Sequence, residues 1–221
     1  SAGASSTQNL TITVTGANDG TTIAGVSSGS TTEDNTQAVT GQLSIADVDD
    51  GEAHFVALSG AAGNFGSFSL AEGGQWSYQL DNSKPAVQAL KMGDSVTDTF
   101  TVTSADGTTL QVTVSVTGKD DGAVIGGVDT AAVSEDVNVA ASQLQATGQL
   151  TITDPDAGQD HFTAKTDLVS GLGIGHFSID ATGYWAYAAD NTQPAIQQLK
   201  AGESLTDTLT VVSVDGTSHT I

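Results

Sequence analysis

Apolar and polar positions alternate along most of this chain. In "LTITVTG" (10–16), "QLSIADV" (42–48), "SFSL" (67–70), "WSYQL" (76–80), "TFTVTS" (99–104) and "LQVTVSVTG" (110–118), apolar residues alternate with Ser, Thr or Gln. Period-two alternation rich in β-branched and aromatic residues predicts strands with one buried face. Turn signals such as Ala-Asp-Gly, Asp-Asp-Gly and Gly-Gly fall every eight to twelve residues, which is the rhythm of a β-sandwich. Two stretches break the alternation, "KPAVQALKMG" (84–93) and "QPAIQQLKAG" (193–202). Each has Pro near its start, Gly after its end and apolar residues on one helical face, which predicts a short helix crossing between two strands.

The pattern is written twice. "GQLSIADVDDGEAHF" (41–55) returns as "GQLTITDPDAGQDHF" (148–162), and "GDSVTDTFTVTSADGT" (93–108) returns as "GESLTDTLTVVSVDGT" (202–217). "TGANDG" (15–20) returns as "TGKDDG" (117–122), and Glu33-Asp34 returns as Glu135-Asp136, both at an offset of 102. A unit repeated at this period predicts stacked domains. The expected division is residues 1–20 as the last strand and linker of a preceding repeat, 21–122 as a first repeat with its linker, and 123–221 as a second. The second copy reaches Ile221 where its last strand has only begun.

Length agrees with two domains of ordinary size among its 221 residues. No apolar run approaches a membrane span, and no signal-peptide pattern opens the chain, as expected of a mature segment or an excised fragment. Cysteine is absent, which excludes disulfides and thiolate metal sites. Net charge is -21, from 26 acidic residues against five lysines and no arginine. Such a chain cannot displace phosphate counterions, so nucleic-acid binding is excluded, and so is direct attraction to anionic lipid. All but five of the acids are Asp. Short carboxylates in turns beside Gly and Asn are what hard-cation sites use, although acidity for solubility is an alternative source of the charge.

If the strand after a linker runs away from the joint, the next one returns to it. Glu33, Asp34 and Asp98 then fall at the far end of the first repeat, and Asp47, Asp49 and Asp106 at its near end. In the second copy Glu135, Asp136 and Asp207 are the far-end set, and Asp154, Asp156 and Asp215 the near-end set. The joint between the copies would gather Glu33, Asp34 and Asp98 with the linker acids Asp120 and Asp121 and with Asp154, Asp156 and Asp215. Asn18 and Asp19 hold the corresponding place in the first linker. So many acids repel strongly without cations, and Ca2+, with six to eight oxygen ligands in flexible geometry, fits at about two to three ions per joint.

Other roles stay open for several of these residues. Asp106 and Asp215 precede Gly and also suit ordinary turns, and Asp98 and Asp207 begin strands where they can bond backbone. Asp-x-Asp-x-Gly at 47–51 opens like an EF-hand loop, but its Gly comes one place early and its twelfth position is Leu58. Asp81 and Asp190 suit a turn or helix cap. Trp76 and Trp185, each two residues before a Tyr, suit a sugar-stacking platform or a core wall, and an aromatic content of 5% favours the core. No catalytic elbow, zinc-protease helix or phosphate loop is present, so no enzyme activity is expected.

"GQLSIADVDDG", "FGSFSLAEGGQWSYQLDN", "AVQALKMGDSVTDTFTVTSADG" and "VTVSVTGKDDG" resemble the VCBS-type, cadherin-like repeats of giant bacterial RTX adhesins. The resemblance implies tandem immunoglobulin-like sandwiches, calcium between consecutive domains, type I secretion and display on the bacterial cell surface. It implies an extender role more often than ligand binding. The alternative is a carbohydrate- or protein-binding module of the same adhesin, for which differences between the copies, such as His176 in place of Ser67, are the discriminating feature. Expected partners are neighbouring repeats through calcium-bridged linkers, with a head-to-tail strand contact between molecules as a further expectation. Gly20 and Gly122 stand where such linkers usually carry proline, which leaves linker stiffness more dependent on metal.

Overall fold

The computed structural model describes residues 3–221. The first copy supplies β1 (Thr22–Gly25), β2 (Ser28–Thr32), β3 (Val39–Ala46), β4 (Leu58–Ala62), β5 (Gly66–Leu70), β6 (Gln75–Leu80), α1 (Pro85–Gln88), β7 (Ser95–Thr103) and β8 (Thr109–Thr117). The second supplies β9 (Val124–Gly127), β10 (Gln143–Thr153), β11 (Lys165–Val169), β12 (Gly175–Ile179), β13 (Tyr184–Asp190), α2 (Pro194–Gln197), β14 (Thr210–Val212) and β15 (Ser218–Thr220). Sheet orders are β1-β3-β6-β5-β4 and β2-β8-β7 in the first copy, β11-β12-β13-β10-β9 and β14-β15 in the second. The fold is all-β and sandwich-like, as the alternation predicts. The helices are shorter than the sequence pattern suggests, a single turn each, with Val87 and Ile196 as their buried residues.

Contacts divide the chain into two units. Among the described residues, unit one is residues 3–29, 38–79 and 98–114, and unit two is residues 30–37, 80–97 and 115–221. In unit one, Phe68 of β5 stacks on Phe100 of β7 with ring centroids 4.7 Å apart, which is sheet-on-sheet packing at the heart of a sandwich. Leu43, Phe55, Tyr78, Val102, Val112 and Val114 complete a core with no exposed surface. In unit two, Leu150, Phe162, Phe177, Ile179, Trp185, Val211 and Ile221 form the main core.

Both tryptophans are core residues, 1% and 2% exposed, which removes the sugar-platform alternative. Their indole N–H groups donate to the carbonyls of Val26 and Val128, each at 2.7 Å, so the one polar atom of each ring is satisfied. Gly41 and Gly148 face these rings, and a Cβ at either would come within 2.4 or 2.5 Å of the indole. Gly41→Ala should therefore force the ring out of its well, at a cost of about 1–3 kcal/mol from overpacking. A lower urea midpoint with a changed near-UV signal is the expected result.

Three segments lack a strand where the alternation or the first copy would place one, for one physical reason. Residues 10–16 alternate as a strand should but form none, and Leu10, Ile12 and Val14 point into solvent. Residues 204–209, the counterpart of most of β7, and 130–134, the counterpart of β2, are also without strand structure. A strand is held by its neighbours' N–H and C=O groups, and side-chain alternation alone cannot supply them. In the first copy β8 supplies them to both β7 and β2. In the second, β15 pairs only with β14, from Thr210↔Thr220 to Val212↔Ser218.

Candidate metal centres at the linker ends

The same local wiring occurs twice. In unit one the Asp19 N–H donates to Asp49 Oδ2 at 2.7 Å, the Thr21 N–H to Asp106 Oδ2 at 3.0 Å, and the Asp49 N–H to Asp47 Oδ1 at 2.8 Å. In unit two the Asp121 N–H donates to Asp156 Oδ2 at 2.9 Å, the Ala123 N–H to Asp215 Oδ2 at 2.9 Å, and the Asp156 N–H to Asp154 Oδ1 at 2.9 Å. Each linker backbone is thus fastened to the near-end carboxylates of the copy that follows it. Thr21 adds a short hydroxyl bond to Asp47.

These backbone donors leave other carboxylate oxygens with nothing. Glu52 Oε2, Asp154 Oδ2 and Asp156 Oδ1 are buried without a hydrogen-bond partner. An unpartnered buried carboxylate oxygen is costly, and normally paired with a donor or a cation. Asp47, Asp49 and Glu52 each offer a carboxylate oxygen, and the three lie within 4.8 Å of one another. In the second copy the residue equivalent to Glu52 is Gln159, which donates to Asp120 Oδ1 at 3.2 Å and Asp156 Oδ2 at 3.1 Å. Only acids, amides and backbone supply the ligand atoms here, a hard-oxygen set that suits Ca2+ and does not suit a soft metal.

Within unit two, the far-end pair Glu33-Asp34 faces the same cluster. Asp34 has φ of 62°, a left-handed conformation that Asp tolerates better than most residues. That turn directs Glu33, 2% exposed, inward. The Lys119 N–H donates to Glu33 Oε2 at 3.2 Å, and Lys119 Nζ pairs with Asp34 Oδ2 at 2.9 Å. Gln88 Nε2 reaches Glu33 Oε1 at 3.3 Å and Asp34 Oδ1 at 3.4 Å. The linker runs close to the chain after α1: the Gly118 N–H donates to the Asp94 carbonyl at 3.0 Å, and a Cβ on Gly118 would lie 2.4 Å from the carbonyls of Leu90 and Lys91. Only glycine fits there, which accounts for the first glycine of "TGKDDG". The Ala157 N–H closes the arrangement by donating to the Ala89 carbonyl at 3.2 Å.

Titration of these groups reports the crowding. Burial pushes the Glu33 carboxyl up, opposed by the Lys119 N–H and reinforced by the charges of Asp121, Asp156 and Asp34. Asp121 is pushed up by burial and then by Asp34 and Asp156. Asp154 is raised by burial, which outweighs the bond from the Asp156 N–H, with Asp215, Asp156 and Asp120 adding to the rise. Glu52 is raised by desolvation and by Asp49, Asp47 and Asp106. In contrast, the Ser104 hydroxyl, with the N–H groups of Thr21 and Thr108, holds Asp106 far below the usual range. Asp215 is held equally low: burial works against it, but the hydroxyls of Ser213 and Thr217 and two N–H groups prevail.

The residues singled out from the sequence thus separate into groups. Asp47, Asp49 and Asp106 come together beside Asp19 at the first linker, while the Asn18 side chain donates only to the carbonyl of Asp19, at 3.3 Å. Glu33, Asp34, Asp120, Asp121, Asp154, Asp156 and Asp215 lie within reach of one another's charges in unit two, while among the described residues only Asp47, Asp49 and Glu52 bring three carboxylate oxygens within 4.8 Å. Asp98 does not join them. It is 1% exposed and accepts the N–H groups of Asn64, Phe65 and Gly66 at 2.7, 3.0 and 3.1 Å and the Tyr78 hydroxyl at 2.8 Å. Asp207 repeats part of this, accepting from the Leu172 N–H at 3.0 Å and the Tyr187 hydroxyl at 3.1 Å. A residue's place along its strand does not show which loop packs over it, and here the 64–66 loop and the Leu172 N–H take up Asp98 and Asp207. Asp136 pairs with Asn191 at 2.8 Å, and Glu135 lines a cleft in unit two. Asp81 accepts from the Ser83 N–H at 3.1 Å, fixing the turn before α1. Glu52 and Gln159 are the participants the sequence reading passed over, and their recurrence three residues after Asp49 and Asp156 was the available signal.

No curated protein matches the chain. Among solved structures it is similar to the protocadherin gammaB7 EC3-6 cis-dimer, at 18% identity and TM-score 0.48, over 89% of this chain and 45% of that one. It is also similar to PcdhgB3 EC1-4, at 14% identity and TM-score 0.47, over 91% of this chain and 48% of that one. The chain spans about half the length of these structures. A sequence profile of the bacterial cadherin-like domain matches residues 18–118. That match runs from the first linker to the start of the second, across the strands and acids just described, and cadherin-like domains are a non-enzymatic structural and adhesion fold. Residues 18–118 therefore match the bacterial cadherin-like domain.

Proposed function

We propose that this chain is a calcium-stiffened spacer of a bacterial surface adhesin, exported by type I secretion as an RTX protein. Residues 1–20 end one repeat, 21–122 form a second with its linker, and 123–221 form a third. The observation that carries the reading is the set of buried, unpartnered oxygens on Glu52, Asp154 and Asp156, next to linker backbone in both copies. Asp47, Asp49, Glu52, Asp106 and the Asn18-Asp19 linker would hold calcium at the first site. Glu33, Asp34, Asp120, Asp121, Asp154, Asp156 and Asp215 would hold it at the second. When bound, the metal supplies positive charge and oxygen coordination where the carboxylates crowd.

The protein's own part is positional. Linker N–H groups at Asp19 and Asp121 orient Asp49 and Asp156, and Asp156 keeps its buried Oδ1 for a cation. Asp106 and Asp215, hydrogen-bonded at both oxygens, anchor the linker backbone through the Thr21 and Ala123 N–H groups. Extracellular calcium modules bind with dissociation constants of roughly 10⁻⁴–10⁻³ M. At about ten to a hundred times that concentration each site adds about 1.4–2.7 kcal/mol to stability. In a calcium-poor cytosol that contribution vanishes, which keeps the chain loose for export. No helix among the described residues is long and apolar enough to cross a membrane.

Small-angle scattering of the full chain tests the mechanical claim. Millimolar calcium should increase the maximum dimension and narrow its distribution relative to a chelated sample. Superimposable curves in the two conditions would end the spacer reading.

A further inference from the structure

The two near-end acid sets differ at one position. Glu52 follows Asp49 by three residues, and Gln159 follows Asp156 by three. At the first site Asp47, Asp49 and Glu52 each bring a carboxylate oxygen within 4.8 Å of the others, and Glu52 Oε2 is buried without a hydrogen-bond partner. Three like charges about one point, one with a stranded oxygen, repel unless a cation lies among them.

Gln159 fills the equivalent place with donors. It is 8% exposed, and its Nε2 donates to Asp156 Oδ2 at 3.1 Å and to Asp120 Oδ1 at 3.2 Å. Asp120 belongs to the linker and Asp156 to the copy that follows, so one neutral amide ties the two with its pair of N–H hydrogens. The counterpart of Asp120 in the first linker is Asn18, whose side chain donates to the carbonyl of Asp19. Lys119 adds a fixed positive charge to the second cluster, with Nζ on Asp34 Oδ2 at 2.9 Å, where the first linker has Ala17. Room for a cation remains beside the amide: Asp156 is 1% exposed, and its Oδ1, like Asp154 Oδ2, is buried and unpartnered.

We propose that Gln159 takes the place of one calcium ion at the second linker: its amide holds Asp120 and Asp156 together, where Glu52 makes the first linker depend on bound metal. The inference rests on the calcium reading above and gives the two linkers different metal requirements. The near-end carboxylates of the first site need the ion in order to stay together. The second site is clasped by hydrogen bonds before metal arrives, and binds calcium less tightly at its near end because it offers one charged ligand fewer. As calcium falls, the first linker loosens while the second keeps its tie, so stiffness is lost in steps. Gln159 is therefore a residue that sets metal affinity, and Gln against Glu at this place decides how much calcium a linker demands.

Gln159→Glu tests this by a change of sign. Without metal the new carboxylate loses both hydrogen bonds and joins Asp120 and Asp156 as a further like charge. With metal it restores the ligand set of the first site. In chelator at neutral pH, the urea midpoint of the full chain should fall by about 0.5 M relative to the unaltered chain. In millimolar calcium the order should invert, and calorimetric titration should show about tenfold tighter binding at the second site, as an added ligand charge gives. Glu52→Gln should do the reverse at the first site, with a higher midpoint than the unaltered chain in chelator and a lower one in calcium. If Gln159→Glu is the less stable chain in both conditions, or leaves calcium affinity unchanged while the unaltered chain still takes up calcium, this proposal is overturned and the spacer reading stands. No calcium heat from any of the three chains would overturn both.

Discussion

Asp98→Ala will cost the chain about 3–5 kcal/mol of stability, a size reserved for broken buried networks. The carboxylate binds a three-residue loop, Asn64 to Gly66, and the Tyr78 hydroxyl to the start of β7 through four hydrogen bonds. Removing it strands three N–H groups and one hydroxyl, and each unpaired buried group costs about 1–3 kcal/mol before water or relaxation recovers part of the loss. Gly63 closes the other side, where a Cβ would meet Asp98 Oδ2 at 2.4 Å, so space for replacement water is small. Asp98→Asn will recover little, since its amide nitrogen brings donors to a site already filled with donors. The measurement is urea unfolding of the full chain. Asp207→Ala, which loses a less buried and less fully bonded carboxylate, is the internal comparison and should cost under half as much. A loss below about 1 kcal/mol for Asp98→Ala would show that the four bonds do not hold this end of unit one together. Tyr78 gives an independent check. Burial and then the bond to Asp98 raise its hydroxyl above the ordinary tyrosine range, and the substitution should bring its alkaline absorbance transition down.

Asp156→Asn will weaken calcium binding at the second site by at least tenfold. Asp156 spends Oδ2 on the Asp121 N–H and on Gln159, and keeps the buried Oδ1 unpartnered. Asn removes the charge while preserving much of the shape, so the backbone wiring stays and the attraction for a divalent ion falls. Asp49→Asn should do the same at the first site without affecting the second, and calorimetric titration of each variant will show which set of heats disappears. Identical isotherms for Asp156→Asn and the unaltered chain would remove the second site.

The metal-free chain should respond oppositely, because fewer like charges then crowd together. Glu33, Asp121 and Asp154 bind their protons more tightly folded than unfolded. Their contribution is therefore present at low pH and lost as pH rises above the ordinary carboxylate range. Asp106 and Asp215 run the other way: held low when folded, they stabilise at neutral pH and lose that contribution only in strong acid. In chelator, Asp156→Asn should raise the urea midpoint at neutral pH relative to acid pH, since it takes one charge out of that group.

Side-chain order along the chain determined β3, β5, β6, β8 and most of β7, the burial of Trp76 and Trp185, and the pairing of Asp47 with Asp49 and Asp154 with Asp156. These rest on short-range rules: a period of two for a half-buried strand, and an Asp-x-Asp turn in which the second N–H bonds the first carboxylate. Sequence left Asp106 and Asp215 open between an ordinary turn and the site, and the bonds they accept from the Thr21 and Ala123 N–H groups are what put them beside the linkers. Tertiary structure alone decided the roles of Asp98, Lys119 and the 10–16 segment. "TDTF" and "TDTL" are identical in type to a ligand-bearing strand start, and nothing local tells that the Asn64–Gly66 loop folds over Asp98. Lys119 stands in an acidic linker, yet its ammonium lies on Asp34, a residue 85 positions earlier. "LTITVTG" has every property of a strand except a neighbour, and a strand's hydrogen bonds lie outside its own sequence.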